Sequence, residues 1–487
     1  MTRLIRWYDY ITVNIYFLGL TVLSQTNGLV FPLLVQMFVG EAQKGTYYGT
    51  FRLWTLMVAL LAQALMGMLS DRSTLPWGRR RHLIFIGTLG MLVFIAAIGF
   101  SSWMTGMGGF WFLFAMGLLL SVASNTAHGA QQGLIPDLVP DDKRGRFSGI
   151  KAVLEVPLPL ILVSFTIAKI IAAGNMWGGI LLAMAVLVIV MAIAMLAPEK
   201  RLAETPKPFD WTPIGRLAAM TALFTAIILG LGAGVQLLGR LLAGINTPAL
   251  LIALVGLSGL LAMAIAVGLG VWLSVRISIG GQAVRANPSF TWWVVNRLAF
   301  LVGATNLSTF AVYFLQGRLG LVREKAAGPA ALLMTVIGVF ILVSALPSGW
   351  LADRFGRKRL VAIAGLLAAL GVVIALLLPN MIVIYVGGSL IGIATGLFFT
   401  ANWALGTELA PKAEAGRYLG ISNLAGAGAG AVGAYIGGPL ADYLTAHLPG
   451  LPGVGYVLLF AIYGVMFLLS VVALRWVHEP QPVAAAS

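Results

Sequence analysis

The chain has 487 residues, of which 60% are hydrophobic and only 10% charged, with a formal net charge of +15 and no cysteine. Soluble domains carry about 25% charged residues, so this composition excludes a water-soluble globule and makes the bilayer the natural solvent. The missing cysteines exclude disulfides, thiolate metal sites and a cysteine nucleophile.

The first stretch, MTRLIRWYDYITVN, lacks a small-residue cleavage site after a short apolar core and reads as a retained cytoplasmic lead-in. A spanning helix needs about 20 apolar residues to cross a core roughly 30 Å thick. Six such spans are predicted near 12–38, 46–69, 82–101, 109–133, 147–172 and 177–197. The polar linker PEKRLAETPKPFDWTP starts at Pro198, and two spans follow near 214–240 and 249–275, the first weakened by Gly230, Gly232 and Gly234. After RISIGGQAVRANPS, from Arg276, six more lie near 291–317, 328–351, 359–379, 381–409, 417–446 and 454–476. The expected fold class is an all-α polytopic membrane protein of 14 spans in groups of six, two and six. The corresponding regions are 1–197, 198–290 and 291–487.

With the N-terminus inside, all but seven of the 31 basic residues fall on cytoplasmic segments or span ends. The seven are Lys44, Arg52, Lys169, Arg240, Arg318, Arg323 and Lys325. This is the positive-inside asymmetry. It explains the net charge without nucleic acid and predicts a multi-pass plasma (cytoplasmic) membrane protein with both termini cytoplasmic.

Two charged stretches recur. SDRSTLPWGRRRHLIFIG, from Ser70, lies between spans two and three, and GWLADRFGRKRLVAIAG, from Gly349, lies six spans later once the extra pair is set aside. After the fourth span comes PDLVPDDKRGRFSGI, and at the matching place in the second half TELAPKAEAGRYLGI. These share an acidic residue (Asp137, Glu408), a proline (Pro140, Pro411) and Gly-Arg-aromatic-x-Gly-Ile. Two motif pairs in matching order indicate a duplicated six-helix unit with both copies in the same orientation.

The motif G-x-x-x-D-R-x-G-R-[RK] resembles the signature of the major facilitator superfamily. It is carried by Gly67, Asp71, Arg72, Gly78, Arg79 and Arg80, then by Gly349, Asp353, Arg354, Gly356, Arg357 and Lys358. The first copy holds four extra residues between Arg72 and Gly78, a longer form similar to the sucrose-transporter and glycoside–pentoside–hexuronide symporter branch. NRLAFLVGATNLSTFAVYFLQ, from Asn296, resembles the seventh span of that branch. The resemblance implies two six-helix bundles that rock about a midplane substrate site. It also implies an inner gate in which Asp71 faces the helix start near Arg417 and Asp353 the helix start near Arg146, with the motif glycines allowing close helix approach. Arg72, Arg79, Arg80, Arg354 and Arg357 complete the two clusters; the bland alternative is orientation signals on solvated turns. An outer gate is expected from Arg52 and Asp442, or else both snorkel to water separately.

Ionisable groups inside a span are functional candidates by default. Glu155 lies eight residues past Phe147, about 12 Å along a helix, and suits proton coupling. Lys151, one turn earlier, offers a structural ion pair as the other reading. Asn125, His128 and Gln132 share one face of span four; His128 has either a proton role, a substrate contact or merely satisfied neighbours. Gln25 and Asn27 in span one, Thr305, Thr309, Tyr313 and Gln316 on one face of span seven, and Asn402 and Trp403 near a break at Gly406 are candidate cavity residues. Amides, hydroxyls and an aromatic suit a neutral hydroxylated solute such as a sugar or glycoside; helix–helix hydrogen bonding uses the same residue types. Sodium-coupled members of the branch carry paired acids in span two where this chain has Ala59 and Gln63, so protons are the expected coupling ion.

G-x-G-x-x-G at Gly428, Gly430 and Gly433 lies mid-span and reads as close helix packing. There is no phosphate-binding loop motif, no H-E-x-x-H and no G-x-S-x-G, and the four histidines are scattered. No metal or cofactor is expected, nor an enzyme. The leading reading is a secondary active importer of a small polar solute. Its rivals are a proton-driven exporter of drugs or metabolites, against which span five lacks a Gly-Pro-Gly-Gly pattern, and a non-transporting sensor or scaffold, for which no loop is long enough.

Overall fold

A computed structural model describes residues 6–75, 77–140, 143–199, 211–245, 247–411 and 415–478. The side chains of residues 144, 145, 243, 283, 415–417, 419, 420, 422 and 423 lie outside the description, and with them the expected gate residue Arg417. Most of the linker from Pro198 also lies outside it. The described residues fold as helices. Thirteen are long and apolar enough to cross a bilayer, or fourteen if one bent pair counts as a single span.

The chain divides into two compact units. One comprises residues up to Gly215 together with Leu321–Gly338; the other comprises Arg216–Gly320 and Val339–Ser487.

The first unit contains α1 (Ile15–Val39), α2 (Lys44–Asp71), α3 (Arg81–Ser101) and α4 (Gly106–Gln132). Span five is not one helix. It runs as α5 (Arg144–Glu155), α6 (Pro157–Leu162), a π-helical turn (Val163–Ile167) and α7 (Ala168–Ala172), followed by α8 (Met176–Ala194). Pro157 supplies the reason. Proline has no N–H, and its ring disfavours helical geometry in the residue before it; Val156 sits at φ −115°, ψ −75°. The π turn then places Ser164 to donate to the Ala331 carbonyl at 2.8 Å and to meet the Thr335 hydroxyl. Thr335 also donates to the Leu160 carbonyl at 3.0 Å. Residues 321–338 are thereby stitched to span five.

The second unit holds α9 (Thr212–Leu241), α10 (Pro248–Ile279), α11 (Pro288–Thr309), α12 (Ala311–Leu319) and the end of α13 (Ala327–Phe355). It is completed by α14 (Arg357–Leu377), α15 (Met381–Leu409), α16 (Ala415–His447) and α17 (Val454–Ala473). The glycines of α9 do not interrupt it. Gly232 and Gly239 lie against the rings of Tyr435 and Tyr443 of α16, and Phe224 fills space left by Gly270 and Gly428. The extra helix pair thus packs on α16 through aromatic-on-glycine contacts, and Gly428 and Gly433 serve packing, as their mid-span position predicts. Close approach also recurs in both units. Gly87 of α3 abuts the α4 backbone at Ala123, and Gly371 of α14 abuts the α15 backbone at Gly387.

α11 and α12 are bent by 61° at Phe310. The Thr305 and Thr309 hydroxyls each bond the carbonyl one turn back, at 2.6 and 3.0 Å, a pattern that bends helices. The bend overturns the expectation that Thr305, Thr309, Tyr313 and Gln316 share a face: the threonines lie on α11 and the other two on α12.

Candidate functional site

The repeated motif builds a charge cluster in each unit. In the first, Arg80 is the hub, with its side chain only 6% exposed. Its Nη2 donates to Asp71 Oδ1 at 2.9 Å and its Nε to Asp137 Oδ2 at 2.5 Å. Arg79 joins the same carboxylates, at 2.9 Å from Asp71 and 3.5 Å from Asp137. Gly133 leaves room for the hub, since a Cβ there would lie 1.8 Å from the guanidinium. Glu199 accepts from the Arg80 and Arg81 backbone N–H groups at 2.7 and 2.9 Å, capping α3 with charge of the sign its N-terminus favours. Arg81 in turn donates to the Met195 and Ala197 carbonyls past α8, at 2.7 and 3.1 Å, which satisfies carbonyls a helix end leaves orphaned. Gly78, at φ +107°, makes the turn, and Glu199 occupies the space a side chain there would need.

The second unit repeats the plan. Arg357 pairs with Asp353 at 3.9 Å and, more closely, with Glu408. Lys358 donates to the Val477 carbonyl at 2.6 Å, and Gly356, at φ +89°, makes the turn. Arg354 lies over the Trp350 and Phe355 rings at 5.2 and 5.7 Å. The acidic residues that engage the motif arginines most closely, Asp137 and Glu408, stood in the sequence as matching repeat positions without an assigned role. Arg146 is exposed. Neither Gly67 nor Gly349 is the residue whose missing side chain makes room, because a Cβ at either would meet nothing within 4 Å. At that crossing Gly129 makes the approach, against the Gln63 and Gly67 backbone.

A cavity of about 170 Å³ opens inside the first unit. Asn27 and Ser24 of α1, Arg52 and Thr55 of α2, and Ser124 and Asn125 of α4 give it polar walls. Asn125 donates to the Ser121 carbonyl at 2.8 Å, which leaves its Oδ1 free of that bond. Asn27 Oδ1 and Arg52 Nε are buried without hydrogen-bond partners. Gln25, half-buried, is not among the lining residues. Arg52 therefore lies on a cavity wall, while Asp442 belongs to the second unit and accepts from Tyr456 at 3.4 Å.

Elsewhere in this unit, Gln132 bridges two groups. Its Nε2 lies 3.1 Å from His128 Nε2, and its Oε1 accepts from Gln63 at 3.5 Å. An amide N–H can only donate, so the His128 Nε2 accepts there, which puts the proton of a neutral ring on Nδ1. Lys151 sits 4.4 Å above the Phe17 ring and 3.5 Å from Glu155, and Phe17 meets His128 edge-on at 6.3 Å. Glu155 ends α5 immediately before the Pro157 break.

Solved transporters share this fold at low sequence identity. A nucleoside transporter aligns at TM-score 0.63 and 12% identity, covering 96% of this chain and 99% of that one. A D-xylose–proton symporter aligns at TM-score 0.64 and 16% identity, covering 97% of each. The chain has the major facilitator superfamily fold. Residues 298–487 match the sequence profile described as Major Facilitator Superfamily. Two curated relatives are similar over shorter stretches. The minor myo-inositol transporter IolF of Bacillus subtilis is 39% identical over 90 residues, 18% of this chain and 20% of its own length. Myo-inositol transporter 2 of Schizosaccharomyces pombe is 32% identical over 145 residues, 28% of this chain and 26% of its own length. The aligned stretches thus span about a quarter or less of either relative.

In the second unit of this facilitator-fold protein, several cavity candidates have other tasks. Asn402 is buried; its Nδ2 donates to Asn296 Oδ1 at 2.8 Å, its Oδ1 accepts from Arg297 at 3.0 Å, and its carbonyl accepts from Trp293 at 2.9 Å. Asn296 continues to the Ser470 carbonyl at 2.8 Å. Asn402 is thus a strut of α11, α15 and α17. No break occurs at Gly406, since α15 runs through it; the glycine makes room for the Trp293 ring. Tyr313 is fully buried beside Tyr456, ring centroids 5.6 Å apart, and Gln316 is buried too. Trp403 remains exposed, with Arg297 5.6 Å from its ring. Arg297 is among the basic residues expected on cytoplasmic segments or span ends. It lies nine residues beyond Pro288, inside α11, and its position within an apolar run was the available signal.

Gly406→Ala is expected to destabilise the second unit by roughly 1–3 kcal/mol, because its Cβ would fall 2.1 Å from the indole carbon of Trp293. Thermal unfolding in detergent should show the lowered midpoint; an unchanged midpoint would contradict the packing described.

Proposed function

We propose that this protein is a secondary transporter that moves a small hydroxylated solute across the membrane by alternating access, driven by protons. The observation that carries the reading is the cavity walled by Asn27, Arg52, Ser124 and Asn125 inside an otherwise apolar helical unit of facilitator fold. Apolar spans have no structural need for so many convergent polar groups, whereas a solute that leaves water does. Myo-inositol in the names of the two relatives, and D-xylose in that of one solved structure, favour a polyol or sugar. The longer first motif favours the sucrose-transporter and glycoside–pentoside–hexuronide branch.

The inner gate is formed by the two motif clusters, with Asp71 and Asp353 exchanging partners as the units move, and both termini facing the cytoplasm. Glu155, with Lys151 and the His128–Gln132–Gln63 chain beside it, is the proton-coupling group. Its place at a helix break allows its surroundings to change with conformation. Proteoliposomes with an imposed inward proton gradient test the reading. Myo-inositol, D-xylose, sucrose and the sugar acid D-gluconate are offered in turn, and one of them should accumulate and be released by an uncoupler. Downhill movement of every solute at the rate of empty liposomes would end the proposal. In the same vesicles, Asp71→Asn, which removes the carboxylate shared by Arg79 and Arg80, and Asp353→Asn, which removes a partner of Arg357, should together slow uptake at least about tenfold. Parental rates in that pair would remove the gate.

A further inference from the structure

We propose that the transported solute carries an anionic group, and that Arg52 holds it in the cavity of the first unit. The inference rests on the transport reading and narrows its substrate class to a hydroxylated carboxylate. Arg52 stands eight residues beyond Lys44 on α2, about 12 Å along the helix, and it faces neutral neighbours: Asn27, Ser24, Ser124 and Asn125. Its Nε is buried without a hydrogen-bond partner, and none of the ion pairs among the described residues of its unit includes it. Glu41, close in sequence, is engaged by Lys44 at 2.6 Å and by Gln36. Asn27 Oδ1 is a second buried polar atom of the same cavity without a partner.

Membrane cations pair with a counter-charge or reach water, and no carboxylate among the described residues of the first unit pairs with Arg52. A ligand oxyanion would supply the counter-charge. The planar fork of arginine fits a carboxylate in two-point fashion, which a lysine would not. The serines and amides around it suit hydroxyl groups on the remainder of the solute.

The second unit also holds an arginine within a span. Arg297 lies inside α11, donates to Asn402 Oδ1 at 3.0 Å, and lies 5.9 and 5.6 Å from the Trp293 and Trp403 rings. Its Nε is buried without a partner, and no carboxylate among the described residues of that unit pairs with it.

The test compares acids with neutral twins of the same shape: D-gluconate with D-sorbitol, and L-lactate with 1,2-propanediol. Thermal unfolding of the purified full-length protein reads binding, and proteoliposome uptake reads transport. At least one acid should stabilise the wild type where its twin does not. Arg52→Gln should weaken that acid about 10- to 100-fold, and Arg52→Lys should weaken it less. Should Arg52→Gln fail to fold, Asn27→Asp serves instead. A carboxylate placed on the cavity wall should raise the unfolding midpoint and abolish stabilisation by the acid. Neutral twins that stabilise as well as the acids, or an acid affinity unmoved by Arg52→Gln, would overturn the proposal. Uptake of sorbitol equal to that of gluconate overturns the anion inference and leaves transport standing. Arg52-dependent stabilisation by gluconate without uptake of either solute sustains the site and ends the transport reading.

Discussion

Replacing Arg80 with glutamine is expected to destabilise the first unit by about 2–4 kcal/mol and to reduce uptake sharply. The side chain is nearly buried and joins two carboxylates, Asp71 on α2 and Asp137 beyond α4. Removing one partner of such a pair costs more than the pair is worth, because the remaining charges lose their compensation. The upper limit of about 5 kcal/mol for fully buried pairs does not apply, since Asp71 is 51% exposed and retains water. Arg79 takes up part of the load. The effect is therefore partly recoverable. Adding Asp137→Asn to Arg80→Gln should return roughly 1–2 kcal/mol, a coupling typical of residues in one network. Thermal unfolding of the single and double variants measures it; additive losses would show that Arg80 and Asp137 do not act together.

Glu155→Gln is expected to abolish proton-driven accumulation while leaving downhill exchange of the same solute. The amide keeps the shape and the hydrogen bonding but cannot take up and release a proton. Lys151, 3.5 Å away, would lose its ionic partner, and both groups are about one-third exposed, so the stability change should stay within about 1 kcal/mol. That separation distinguishes the two readings of the pair. A structural ion pair predicts a loss of stability and no change in coupling; a coupling carboxyl predicts the reverse. Counterflow and gradient-driven uptake in the same vesicles, with the unfolding midpoint alongside, decide it.

The helical class, the approximate span count and the clustering of the motif charges were legible because they follow from local rules. An apolar run of sufficient length must be helical in lipid, and a motif repeated in order reports a repeated unit. The roles of Asp137 and Glu408 were half legible, as matched positions whose partners lie 57 and 51 residues away in Arg80 and Arg357. The cavity was read only in part. Asn27 and Asn125 line it as in-span amides, whereas Arg52 stands near a loop in sequence and only the fold puts it on the cavity wall.

By itself the sequence determined that this is an all-helical polytopic membrane protein in which two motifs recur in matching order, since composition and periodicity act through solvent and covalent order alone. Tertiary structure decided which polar residues are structural and which face open space. Asn402 has spent its amide on Asn296 and Arg297, whereas Asn27 Oδ1 has no partner. Both are asparagines in apolar helices, and nothing in their neighbouring residues separates them. A polar group in lipid must find a partner, and whether that partner is another helix or a solute is set by which side chains arrive from distant parts of the chain.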